Sequence, residues 1–199
     1  PLCATAILYL RCVGNQFVFD DHEMIVINRH IGEWSFFWKS FLHDLWWFRD
    51  PAHLPQSSYY RPLQDSLLAA QFHLFGFHPS GYHVTSIVLH LIAVWLVYKI
   101  AEILTGNLRS AVLTALLFGV LPVHAEAVVW PSAIPLLLSA VFELAAFYAL
   151  VRAPAESWRG YVVPGIFFAA ALLSHESAIV FPLIAAAYVL VLEGTRLDE

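Results

Sequence analysis

Apolar residues in this 199-residue chain run in long blocks, not at the spacing of helices that lean on a soluble core. Six blocks follow one another, at 2–13, 82–104, 108–123, 134–151, 161–173 and 178–192. About 20 consecutive apolar residues let a helix cross a bilayer. The 82–104 block reaches that length with charge only near its end, at Lys99 and Glu102. The expectation is an all-α fold, a polytopic integral membrane helical bundle of about six spans. The 161–173 block is short for a free-standing span and needs a bundle with a thinned bilayer or a polar cavity. Composition agrees, with 60% hydrophobic and only 13% charged residues, against about 25% charged in a typical soluble domain. A net charge of −5 provides no basic patch, so nucleic acid is excluded as a partner.

The chain opens at Pro1 inside an apolar run and stops at Glu199 just after another. This reads as a single transmembrane domain over 1–199, truncated at both ends, with 2–13 the tail of a first span. Cys3 and Cys12 stand about two and a half helical turns apart, too far to pair.

Residues 15–81 make a long first outer loop that holds four of the seven Trp residues. Its 33–48 run, EWSFFWKSFLHDLWWF, places apolar residues at 34, 37, 38, 41, 45 and 48. That spacing predicts an amphipathic helix, either flat in the membrane interface or packed on the bundle. Pro51 and Pro55 break the chain, and residues 62–77 predict a second short helix. The short loops 105–109 and 152–160 carry Arg109, Arg152 and Arg159, whereas 124–131 and 174–177 carry no Lys or Arg. The positive-inside rule puts the Arg loops in the cytoplasm. The long loop, 124–126 and 174–176 then meet on the extracytoplasmic face.

Four groups of ionisable residues gather there. The pair Asp20 and Asp21 can act as a general base, hold a divalent cation, or simply start a solvated loop. Arg61, fixed by Pro62 at the start of a helix, can contact phosphate or snorkel between Tyr59 and Tyr60. His124 with Glu126, and His175 with Glu176, stand at the ends of apolar blocks. Such residues are costly unless they face a cavity, one another or a helix end. Glu143 lies near the middle of the fourth block, where a carboxylate either functions or bonds, protonated, to a neighbouring helix. His73, His78, His83 and His90 match no metal-ligand spacing.

Taken in order, FVFDDHEMIVINRHI, YYRPL, GYHVTSIVLHL, FGVLPVHAEAVVW and LLSHESAIVFPL resemble the membrane half of the TMTC-like (transmembrane and TPR) O-mannosyltransferase family. The resemblance covers roughly residues 15–185. It implies the GT-C glycosyltransferase fold and transfer of a sugar, mannose or another hexose, from a polyprenyl-phosphate carrier, dolichyl or undecaprenyl. The acceptor would be a protein or glycan hydroxyl. It also implies that Asp20 and Asp21 are the catalytic acidic pair, with Asp20 the base. Arg61 would bind the carrier phosphate, and His124, Glu126, His175 and Glu176 would line the same cavity. No cofactor is required, although a divalent cation at Asp20 and Asp21 is the one ion site the pattern admits. Membrane lipids are the remaining partner.

Two departures stand out. His175 occupies the place of a Lys, which would be a permanent cation where His is only partly charged. The run 131–136 reads PSAIPL where relatives carry a charged G-R-A-E-L-L-like run. The TPR repeats and later helices of the family lie outside this sequence, so the fragment alone is not expected to suffice for activity. Short loops favour a bacterial or archaeal inner membrane over the ER. A non-catalytic polyprenyl-phosphate-binding protein or flippase is the rival reading. A solute transporter is less apt, because no inverted repeat links the halves.

Overall fold

The structure, a computed structural model, describes residues 1–49, 58–153 and 158–193. The breaks expected at Pro51 and Pro55 lie outside the described residues. Those described are helical or irregular, with no strand among them.

Prolines and a glycine set the helix boundaries. Helix α1, Leu2–Tyr9, continues as a tighter turn over Leu10–Gly14. In the outer loop, α2 is Trp34–Lys39 and α3 is Pro62–Phe75. Pro62 stands at the first helical position of α3, where its missing N–H costs nothing. Pro79 does the same for α4, Pro79–Thr105. Gly106, at φ +60°, ends α4 in the left-handed conformation that only a residue without Cβ adopts cheaply. Asn107 then caps α5, Leu108–Val120, its side-chain oxygen accepting from the backbone N–H of Arg109 and Ser110. Pro122 breaks the path, and α6, Ala125–Val129, continues at an angle of 48° to α5. A single turn at Pro131–Ala133 leads into α7, Ile134–Val151. Helix α8 is Val162–Ser174, and α9 is Phe181–Tyr188.

Among the described residues, fewer than the six expected spans reach membrane-crossing length. Two helices are long and apolar enough to cross a membrane, Pro79–Thr105 and Pro131–Val151, and a third span results if the bent α5–α6 pair counts as one. The shorter apolar helices are Leu2–Gly14, Val162–Ser174 and Glu176–Val191. At 1.5 Å per residue, the 13 residues of α8 cover about 20 Å, less than the roughly 30 Å hydrocarbon thickness.

The 33–48 amphipathic helix is also shorter than its pattern predicts. It ends at Lys39, and turns follow. Ser40 Oγ donates back to the Phe36 carbonyl at 2.8 Å, and the aromatic side chains beyond pack on one another instead of extending the helix. The predicted apolar stripe faces outward at Trp34 and Trp38, while Phe36 and Ser40 are buried. Trp34 stacks on His73 of α3 at 4.1 Å.

Helix α4 packs on α5 and α7, and α7 packs on α8. One core cluster, with Phe17, Met24, Ile25, Ile31, Leu68, Tyr82 and Ile134, joins the outer loop to the starts of α4 and α7. A second joins Tyr9 and Cys12 to Ile87, Val128 and Leu137. The outer loop is therefore held against one end of the bundle by buried apolar side chains. Both cysteines are free.

Candidate functional site

Asp20 and Asp21 are neighbours in sequence but have unlike surroundings. Asp21 is fully buried. Its Oδ1 accepts from the Ser132 backbone N–H at 2.8 Å and from Ser132 Oγ at 2.5 Å, and its Oδ2 accepts from the Val18 N–H at 2.9 Å. A buried carboxylate needs such donors to offset its lost hydration. Phe19, just before the pair, has φ +49°, a left-handed conformation rare for a bulky side chain. Its ring meets Trp130 edge-on at 6.1 Å. Asp20 instead lines a cavity of about 280 Å³.

That cavity gathers much of the expected site. Arg61, Glu126 and His175 line it with Asp20, together with Tyr59, Gln64, Trp130 and Ser132. Arg61 caps α3 and binds Glu176 in a fork: Nε donates to Oε2 at 2.9 Å and Nη2 to Oε1 at 2.6 Å. The guanidinium also lies 4.8 Å from the centre of the Tyr59 ring. These donated bonds hold the Glu176 carboxyl down at about 2, against an ordinary 4.5. His175 is pushed below its usual value, first by burial and then by the Arg61 charge, with Glu176 pulling the other way. The Ser177 N–H donates to His175 Nδ1 at 3.1 Å, so Nδ1 accepts and the neutral ring carries its proton on Nε2. Nε2 stands 3.7 Å from Glu176 Oε1. The cation at this end of the cavity is therefore Arg61, with a neutral imidazole beside it.

His124 departs from expectation. It is not in the cavity lining. Its ring packs 4.4 Å from Phe118 and 5.4 Å from His90, whose Nε2 contacts the Gly119 carbonyl at 3.1 Å. Two residues apart on a turn of helix, His124 and Glu126 point to different sides. The other histidines are scattered. His73 lies on Trp34, His83 is buried in α4, and no group of three or more His, Cys, Asp or Glu among the described residues is arranged to hold a metal ion. Both Asp21 oxygens already accept from N–H or O–H donors, so the acidic pair does not fit a jointly held cation. Glu143 accepts from Ser139 Oγ at 3.0 Å within its own helix.

Two residues of the site, and one buried acid outside its lining, carry no signal in the sequence. Ser132 is a plain serine in an apolar stretch. Gln64 is buried beneath the cavity, its Nε2 donating to the Ser132 carbonyl at 3.4 Å. Asp65, one turn after Arg61, is 2% exposed. Burial, then the nearby Asp44 carboxylate, push its carboxyl well above the usual range, and a Ser40 hydrogen bond opposes them.

Beyond Glu126 and Trp130, which belong to both, the cavity adjoins an apolar groove of about 790 Å³. Asn15, Gln16, Val18 and Phe19 form one of its sides and Ala125 and Val129 the other. A further hollow of about 420 Å³ shares Asn15, Ala125 and Val129 with it and extends along Leu8, Cys12 and Val120. A charged, partly polar chamber thus shares the Glu126 and Trp130 wall with an apolar trough.

Comparison with known proteins fits this picture. The family described as Dolichyl-phosphate-mannose-protein mannosyltransferase matches residues 61–198. Protein O-mannosyl-transferase TMTC4 of human is 33% identical over 165 residues, covering 76% of this chain and 22% of that protein. Protein O-mannosyl-transferase F38B6.6 of Caenorhabditis elegans is 33% identical over 147 residues, covering 72% and 21%. Human Protein O-mannosyl-transferase TMTC3 is 30% identical over 167 residues, covering 82% and 18%. The chain spans about a fifth of the length of these curated relatives. No solved structure is significantly similar. These relatives are animal proteins and give no support to the bacterial or archaeal membrane expected from the short loops. A long run of matched sequence, apolar membrane-length helices and the five ordered motifs lead to one family: the chain belongs to the dolichyl-phosphate-mannose-protein mannosyltransferases, and within them to the TMTC-like O-mannosyltransferases.

Proposed function

We propose that this chain forms part of the active site of a membrane glycosyltransferase with the GT-C fold. The enzyme moves mannose from a polyprenyl-phosphate carrier, dolichyl by the description of its family, to a protein hydroxyl on the extracytoplasmic face. The observation that carries this reading is the meeting of Asp20 and Arg61 in one cavity that shares a wall with an apolar trough. A phosphate-linked sugar with a lipid tail needs those three features: a base, a cation and a dry slot.

In this mechanism Asp20 accepts the proton of the acceptor hydroxyl. The acceptor's hydroxyl oxygen forms a bond to the anomeric carbon while the bond from that carbon to the phosphate oxygen breaks. The bonding electrons leave with the carrier phosphate, beside Arg61. Glu126 borders both the chamber and the trough, where the acceptor and the lipid would meet. Direct displacement by one base inverts the anomeric configuration.

The test is sugar release from dolichyl- and undecaprenyl-phosphate mannose by the reconstituted full-length protein. Asp20→Asn should reduce turnover at least about 1,000-fold while leaving carrier binding intact. Turnover indifferent to Asp20→Asn, or a product of retained configuration, would overturn the mechanism. Carrier binding without any turnover would favour a binding protein that uses the same trough.

A further inference from the structure

Ser132 stands where three parts of the site meet. Its backbone N–H and its hydroxyl both donate to Asp21 Oδ1, at 2.8 Å and 2.5 Å. Its carbonyl accepts from Gln64 Nε2 at 3.4 Å. Asp21 is the residue after Asp20, and Gln64 lies three residues after Arg61 in the first turn of α3. Ser132 itself belongs to the turn that starts α7, two residues past Trp130 of the trough. One small residue therefore ties the acidic loop, the phosphate-binding helix and the wall of the chamber together. Asp21, Gln64 and Ser132 are all at least nine-tenths buried, so water does not substitute for these bonds.

We infer that Ser132 is a positioning residue for transfer: its grip on Asp21 and Gln64 sets the Asp20 carboxylate at a fixed distance from Arg61. The inference rests on the proposed transferase reading, and it reassigns Asp21 from chemistry to alignment. Asp21 is fully buried, both of its oxygens accept from donors, and it is not among the residues that line the cavity. Asp20 is left as the base. The left-handed Phe19 supports this division, because a costly backbone conformation persists only where its surroundings over-determine it. Those surroundings are the Val18 N–H bonded to Asp21 and the Phe19 ring on Trp130.

A misaligned base slows the chemical step without touching the phosphate contact. In the reconstituted full-length protein, Ser132→Ala should lower kcat about 10- to 30-fold and leave the KM for carrier-linked mannose within about twofold. Ser132→Thr, which keeps the hydroxyl, should recover most of the rate. Asp21→Asn should lower kcat similarly, because its amide nitrogen would face the Val18 N–H donor to donor. The double variant should be little worse than Asp21→Asn alone, since both act by releasing the same Asp21 side chain. Wild-type kcat in Ser132→Ala, a loss confined to KM, or additive losses in the double variant would overturn the inference.

Hydrogen exchange separates this outcome from failure of the transferase reading. The amides of Val18 and Ser132 should be protected in the wild type and in Asp20→Asn, and should exchange faster in Asp21→Asn. Protection lost only in Asp21→Asn would uphold the clamp even if no carrier supports turnover. Rapid exchange in the wild type would remove the clamp whatever the turnover.

Discussion

Arg61 and Glu176 illustrate how much a single side chain can govern here. Their forked ion pair lies between α3 and the turn after α8, with Glu176 53% exposed. The Glu176 carboxyl titrates near 2 in the folded protein and near 4.5 when unconstrained. A depressed carboxylate contributes stability that is fully present above the unfolded value and lost as pH falls towards the folded one. The melting temperature should therefore decline between pH 4.5 and 2, and Glu176→Gln should flatten part of that limb. His175 adds a smaller loss of the same sign below about 6.5, because its neutral ring must charge on acidification. Thermal unfolding in detergent over that pH series tests this, and an identical limb in Glu176→Gln would show that the pair contributes nothing. Arg61 and both acids were legible in the sequence, since a charged residue at the end of an apolar block demands a reason. The division of labour between Asp20 and Asp21 was not. What distinguishes them is a serine 111 residues away, and no local pattern encodes a contact of that range. His124 shows the converse error. Its motif is right, but the turn of helix carries it to the far side from Glu126.

Among the elements, the helices that start at proline or end at glycine were the readable ones. Helix α7 begins and ends at the residues its apolar block predicts, and α3 begins at Pro62. The outer-loop aromatic run misled because period alone cannot tell a helix from a cluster of rings that pack on one another. Close packing between helices was equally hidden. On α5, a Cβ at Gly119 would lie 2.2 Å from Thr5 Oγ1 of α1 and 3.0 Å from Val94 Cγ2 of α4. The glycine lets three helices approach, as small residues do in membrane interfaces. Gly119→Ala should cost about 1–3 kcal/mol by overpacking, read as a lower midpoint in a denaturation series in detergent. Thr5→Ala in the same background should restore much of it, since the threonine oxygen is the nearest obstacle. No loss in Gly119→Ala would mean that α1 can retreat from α5 at little cost.

At the scale of the molecule, Arg109 and Arg152 lie at one end of the bundle and the candidate site at the other. Helix α4 runs from the chamber end to Gly106, and α5 returns from Asn107, so Arg109 sits opposite the Glu126 turn. Helix α7 likewise leaves the chamber at Ile134 and reaches Arg152 at its far end, from where α8 comes back to His175. The outer loop is fastened over the chamber by Phe17, Ile25 and Ile31 packed against Tyr82 and Ile134. A lipid-linked donor fits such a molecule only if the chamber and trough open at one leaflet. Under the proposed function that leaflet is the extracytoplasmic one, as the positive-inside rule expects when the Arg-bearing turns lie at the other end. Single cysteines can decide it once Cys3 and Cys12 are replaced by alanine. Ser177→Cys, beside His175, should react with a membrane-impermeant maleimide from the extracytoplasmic side of sealed vesicles. Thr105→Cys, at the far end of α4, should react only after the membrane is opened. The reverse pattern would put the acidic pair and Arg61 in the cytoplasm, and the trough would then have to draw its carrier from the inner leaflet.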